Sequence, residues 1–165
     1  MTEPRDAGDS RPEGCGRTTS PTVLFVCLHG SAKSLIAAQH FTRLARERGL
    51  PYAGESVGLE PDYQVPMPVI AGLASDGFDV REYLPQALTP ERVATACYVV
   101  TFACDVLLGP DTAMRESWDD LPMVSDGFGV ARDAIVRRVT ALVHSLASAS
   151  YQHACRRNCD KSRHE

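Results

Sequence analysis

Cys27, Lys33 and Ser34 stand in one run, "TVLFVCLHGSAKSLIAAQHF" from Thr22 to Phe41, with apolar residues before the cysteine and after the serine. A cysteine at the end of a buried strand, then a glycine-bearing loop, a cation and a helix, suits one chemistry above others. Loop N–H groups and the helix dipole create positive potential, and positive potential binds an anion. The same potential, with Lys33 beside it, favours thiolate over thiol. A thiolate facing a tetrahedral oxyanion is a nucleophile aimed at phosphorus or arsenic. Cys27 is then the attacking group. Leu28, His29, Gly30, Ser31, Ala32, Lys33 and Ser34 form the candidate oxyanion cradle, and the Ser34 hydroxyl can hydrogen-bond the thiolate. A nucleotide-binding loop would need glycines where Cys27 and Ala32 stand, so that competitor fails. The competing structural role for Cys27 is that of a small buried hydrophobe.

These residues need elements to hold them. Thr22 to Cys27 reads as a buried strand without alternation. Ser34 to Arg48 reads as an amphipathic helix, with Leu35, Ile36, Ala38, Phe41, Leu44 and Ala45 on one face and Gly49 closing it. Tyr52 to Val57 suits a second strand, and Pro68 to Asp76 a short helix. Thr89 and Pro90 have the chemistry of an N-cap and a first helical position. Cys97 to Ala103 reads as a third buried strand with Cys97 in the core. From Leu107 to Phe128 the chain reads mostly as loop, with room for one short strand. Val130 to Leu146 is a second amphipathic helix. Strands alternating with helices predict a parallel sheet with helices on both faces.

The chain has 165 residues, 44% of them hydrophobic and 23% charged, which fits one domain with its own core. The reading places a disordered arm at residues 1–21, the folded domain at 22–149 and a polar tail at 150–165. A formal charge of −4 argues against nucleic acid or an anionic membrane as partner. No signal peptide or membrane span is evident, so the expected setting is cytoplasmic. The six cysteines are scattered, which points to reduced thiols rather than a disulfide scaffold. Cys155 and Cys159, with His153 and His164, match no strong zinc spacing, so no metal is expected.

"VLFVCLHGSAKS" resembles the phosphate loop of the low-molecular-weight protein tyrosine phosphatase superfamily: cysteine, five residues, arginine, then serine or threonine. That superfamily includes the thiol-dependent arsenate reductases. "GESVGLEP" resembles its second strand, and "DGFDVREYLPQALTPERVATACYVVTFAC" its middle region, most closely that of the reductases. "WDD" and "ARDAIVRRVTALV" resemble its acid loop and last helix. The similarity runs from about Thr22 to Ser148. It implies a three-layer α/β fold with a four-stranded parallel sheet of flavodoxin-like type. It also implies a cysteine nucleophile without metal or organic cofactor, acting on phosphate, arsenate or a phosphomonoester.

The pattern departs from the family at three places. Lys33 stands where the family has arginine, so a mobile point charge replaces a bidentate fork. The usual Gly-Asn of the loop is His29-Gly30. The Asp-Pro of the general acid is spread over Asp119-Asp120-Leu121-Pro122, which leaves Asp120 as first candidate and Asp119 as second. By resemblance to the reductases, Cys104 is the resolving thiol. Their further cysteine is absent from Leu107, Leu108, Gly109, Pro110 and Asp111. The expected activity is therefore arsenate reduction supported by an external thiol, thioredoxin or a small thiol. The alternatives are a phosphatase, with Tyr63 or Trp118 as an aromatic lip, and a weakened anion sensor.

Overall fold

The computed structural model describes residues 20–106 and 114–148. Residues 1–19 of the expected arm, the expected tail, residue 149 and the span 107–113 lie outside the described residues. β1 (Thr22–Cys27) is the centre of the sheet, and all but its first residue are buried. A continuous apolar run is what a strand covered on both faces requires. β1 pairs in parallel with β2 (Ala53–Gly58) on one side and β3 (Ala96–Thr101) on the other. β3 in turn pairs in parallel with β4 (Met114–Ser117), giving the order β2-β1-β3-β4. The expected four-stranded parallel sheet is thus present.

The two faces are covered unequally. α1 (Lys33–Glu47), α2 (Met67–Ser75) and α4 (Phe128–Leu146) share the larger core, where Phe25 packs against Phe41, Phe102 and Trp118. On the other face Leu24, Val26, Val57 and Val99 are covered by Leu88, Val93, Cys104 and Val106, with only the short helix α3 (Pro90–Thr95) among the described residues. Thr89 caps α3 as expected, its hydroxyl accepting the Arg92 N–H at 3.2 Å.

The far side of α1 is anchored by charge. Buried His40 sits 3.3 Å from the Asp76 carboxylate and edge-on to Phe78. Arg43 and Arg132 donate to Asp76 from α1 and α4. Burial, with Arg43 second, pushes the His40 imidazole below its ordinary value despite Asp76. This cluster lies away from the start of α1, where the sheet order reverses about β1. In open α/β sheets the crevice beyond the carboxyl ends of the strands, at such a reversal, is where ligands bind. Cys27 is the last residue of β1.

Candidate functional site

The loop after Cys27 is zipped to the segment after β2. Leu59 N–H donates to the Cys27 carbonyl at 3.2 Å, Glu60 to Leu28 at 2.8 Å and Asp62 to His29 at 3.1 Å. A trans peptide holds its C=O and N–H on opposite sides. Tying those carbonyls outward therefore turns the N–H groups of Leu28, His29 and Gly30 inward. The Gly30 carbonyl accepts from Ser56 Oγ at 3.2 Å, which turns the Ser31 N–H the same way. The Gly30 N–H meets Cys27 Sγ at 3.1 Å. A ring of inward amides is an anion-binding concavity.

Two glycines allow the approach. Gly30 has φ +63°, and a Cβ there would lie 2.7 Å from Gly58 N. A Cβ on Gly58 would lie 2.6 Å from the His29 carbonyl carbon. Backbone fills both spaces, so neither position tolerates a side chain without moving the loop.

The thiol belongs to a chain of hydroxyls. Cys27 Sγ is 2.9 Å from Ser34 Oγ, and Ser34 Oγ is 2.7 Å from Ser56 Oγ. Cys27, Ser34 and Ser56 are all buried. Each hydroxyl has one proton to give. With a thiol, S–H donates to Ser34, Ser34 to Ser56, and Ser56 to the Gly30 carbonyl. With a thiolate, Ser34 turns to the sulfur and Ser56 turns to Ser34, releasing that carbonyl. The relay thus accommodates both ionisation states without moving a heavy atom. α1 begins here with no side-chain cap at Ala32, so its first amides face the loop without a competing acceptor from that residue.

Lys33 is the first residue of α1. Its Nζ donates to the Leu121 carbonyl at 3.3 Å and lies 3.8 Å from Met123 Sδ. The segment that meets the loop's lysine is thus Leu121 to Met123, and neither expected acid is bonded to the loop. Asp120 is exposed and takes Arg138 on both oxygens at 2.7 Å. Asp119 accepts from Ser117 Oγ at 2.6 Å and from the Ala103 N–H at 2.9 Å. Those two bonds, Ser117 first, pull its carboxyl below the usual range. Ala103 needs the support, because its φ of +48° is left-handed without being glycine.

Cys104 follows that turn on the other face of the sheet. Its Sγ donates to the Val26 carbonyl at 3.5 Å, and it packs with Leu24, Val26 and Val99, while Cys27 packs in the larger core. Burial pushes the Cys104 thiol up, with Cys27 a smaller contributor in the same direction. Cys27 and Cys104 are both free thiols, and Cys104 Sγ is bonded to the Val26 carbonyl rather than to Cys27. Trp118 is 1% exposed and packs on Phe25 and Phe102, so it is core and not a lip. Tyr63 is 99% exposed. Cys97 is buried in β3 as expected.

Ser56 and Asp62 are site residues that sequence reasoning missed. Asp62 takes the buried Ser31 hydroxyl at 2.5 Å, and its other oxygen lies 3.4 Å from His29 Nδ1. No group of His, Cys, Asp and Glu among the described residues is arranged to hold a metal ion. No helix among them is long and apolar enough to cross a membrane.

Comparison with known proteins fits this geometry. Among solved structures, the chain is similar to the Corynebacterium glutamicum thioredoxin-dependent arsenate reductase, with TM-score 0.65, 22% identity, 79% of this chain covered and 63% of that one. It is also similar to an arsenate reductase from Archaeoglobus fulgidus, with TM-score 0.61, 24% identity and 74% and 98% covered. A low molecular weight protein tyrosine phosphatase from Bacillus subtilis gives TM-score 0.64, 18% identity and 76% and 96% covered. At such identities the likeness is one of fold. No curated protein matches the chain. The sequence model described as low molecular weight phosphotyrosine protein phosphatase matches residues 22–107, more than half of the chain, which contains β1, the loop and β3. The chain belongs to the low molecular weight phosphotyrosine protein phosphatase family.

Proposed function

We propose that the protein is a cysteine-nucleophile oxyanion enzyme that reduces arsenate at the expense of an external thiol. The observation that carries it is Cys27 Sγ held by the Gly30 N–H and Ser34 Oγ inside a loop whose carbonyls are tied outward. The Cys27 thiolate attacks arsenic(V), an S–As bond forms, and hydroxide leaves as water after taking a proton. A thiol then attacks the Cys27 sulfur. The S–S bond forms, the As–S electron pair stays on arsenic, and arsenite departs. A second thiol reduces the mixed disulfide. The amides of Leu28 to Ser34 and the Lys33 ammonium offset the anion's charge.

Arsenate is favoured over an ester by the acid side of the site. Asp119 and Asp120 are both bonded elsewhere. Expelling water from protonated arsenate asks less of an enzyme acid than expelling an alkoxide does. The raised thiol and opposite-face packing of Cys104 favour direct attack by the external thiol. Thioredoxin or a small thiol would serve, in the cytoplasm where such thiols are kept reduced. A phosphatase for aryl phosphates is the second reading, favoured by exposed Leu28 on the loop and exposed Leu59 and Tyr63 on the segment after β2.

Purified protein should release arsenite from arsenate with matching thiol oxidation, and Cys27→Ser should lower the rate by about four orders of magnitude or more. Inertness toward arsenate with every thiol, together with turnover of an aryl phosphate, would move the assignment to the phosphatase. Anion binding with neither activity would make the chain a sensor.

A further inference from the structure

We propose that Asp62 is a positioning residue that sets the oxyanion loop, acting through Ser31 and His29. The inference rests on the loop being the oxyanion site. Asp62 makes three contacts with that loop from one position in the segment after β2. Its N–H donates to the His29 carbonyl at 3.1 Å, one carboxylate oxygen takes the Ser31 hydroxyl at 2.5 Å, and the other lies 3.4 Å from His29 Nδ1. His29 Nδ1 is also 3.3 Å from the Glu60 carbonyl.

A carboxylate beside an anion site is electrostatically unfavourable on its face. Two unit charges a few ångströms apart repel appreciably near a protein surface. Asp62 is therefore expected to weaken anion binding if charge is all it contributes. Its geometry points to a different contribution. Ser31 is 1% exposed, so its hydroxyl needs an acceptor inside the fold. Taking that proton fixes the residue between Gly30 and Ala32, and with it the direction of the Ser31 amide. The N–H bond to the His29 carbonyl fixes the Gly30 amide, which faces Cys27 Sγ. Asp62 thus holds two inward amides in place before any ligand arrives. Preorganised donors cost no reorganisation when charge develops. Lys33, at the other end of the loop, supplies a positive charge to the same site.

Charge and positioning predict opposite signs, which makes the test sharp. The readout is alkylation of Cys27 by iodoacetamide at fixed pH and its protection by inorganic phosphate. Asp62→Ala should weaken protection about tenfold, or 1.4 kcal/mol. Asp62→Asn keeps an oxygen for Ser31 and the backbone bond, and should stay within about threefold of wild type. If the alanine variant does not fold, Ser31→Ala removes the same bond from the loop side and should show the same loss. Tighter protection in Asp62→Asn and Asp62→Ala overturns the proposal in favour of charge alone. Unchanged protection in Asp62→Ala, or in Ser31→Ala where that substitute is used, also overturns it. If phosphate fails to protect wild-type Cys27, it is the reading of the loop as an oxyanion site that falls.

Discussion

The loop from Cys27 to Ser34 and the segment from Trp118 to Met123 face one another across Lys33, and they are bonded in opposite senses. In the loop, carbonyls are tied outward to residues 59–62, so the amides, the thiol and two serine hydroxyls converge. In the facing segment the polar groups turn away. Asp119 supports the strained Ala103, Asp120 holds Arg138, and what reaches Lys33 is a backbone carbonyl and a thioether. One side brings backbone amides and a thiol together. The other supplies no free acid in this conformation. A site of this kind suits a ligand whose reaction leans on the nucleophile and cradle more than on proton donation.

Lys33 is where the two sides touch, so, after Cys27 itself, changing it should have the largest effect. A guanidinium carries five donors in a fixed fork. Lys33→Arg can keep the Leu121 carbonyl and still present two parallel bonds to an oxyanion. Aryl phosphate turnover should rise about tenfold or more, by analogy with adding one positioned donor. A fall in both turnover and phosphate affinity would mean that Leu121 and Met123 leave no room for the fork, and that the facing segment is fitted to lysine.

Much of the loop side was legible in the sequence, and little of what surrounds it. The strand Thr22 to Cys27 was read to the residue, because an unbroken apolar run has few alternatives. The helix was expected at Ser34 to Arg48 and lies at Lys33–Glu47, a shift of one residue. β4 is the short strand for which the span from Leu107 to Phe128 has room, but its bounds are not legible because Met114 to Ser117 form an exposed edge without apolar alternation. Helices on both faces were expected, and among the described residues three of the four α-helices lie on one face and α3 on the other. Ser56 and Asp62 escaped notice for a different reason. Their bonds to the loop span 22 to 31 residues of sequence, and no local pattern marks such pairs. Of the two candidates for an aromatic lip, Tyr63 and Trp118, the fold turns Trp118 inward onto Phe25 and Phe102.

Cys104 tests whether the far face of the sheet takes part. Its thiol donates to the Val26 carbonyl, one residue from Cys27 in sequence but on the other face. A Cys27–Cys104 disulfide would require the turn after β3 to leave that packing, since bonded sulfurs lie about 2 Å apart. Cys104→Ser should therefore change thiol-supported arsenate reduction by about twofold or less, a difference of roughly 0.5 kcal/mol. Mass spectrometry after incubation with arsenate and no added thiol should find no Cys27–Cys104 bond. Finding that bond, together with a large loss in the serine variant, would restore Cys104 as the resolving thiol and show that the turn opens during the reaction.

The smallest effect is expected at Asp120, and it decides whether the facing segment is inert. The residue is exposed, and its partner Arg138 lies on α4 at 2.7 Å. Surface pairs of this sort contribute little, because two solvated side chains lose freedom to gain a screened attraction. Asp120→Asn should thus change turnover about twofold or less. The informative comparison is between aryl phosphates with good and poor leaving groups. A general acid matters most where the departing oxygen is most basic, so losing one penalises the poor leaving group selectively. An equal, small effect on both substrates would keep Asp120 as a surface anchor for α4. A loss of about a hundredfold confined to the poor leaving group, the usual size of an acid–base contribution, would mean that Asp120 leaves Arg138 and turns to the loop when substrate binds. The facing segment would then be a working half of the site caught in its resting arrangement, and the contrast with the loop would be one of timing, with the cradle set beforehand and the acid recruited by the ligand.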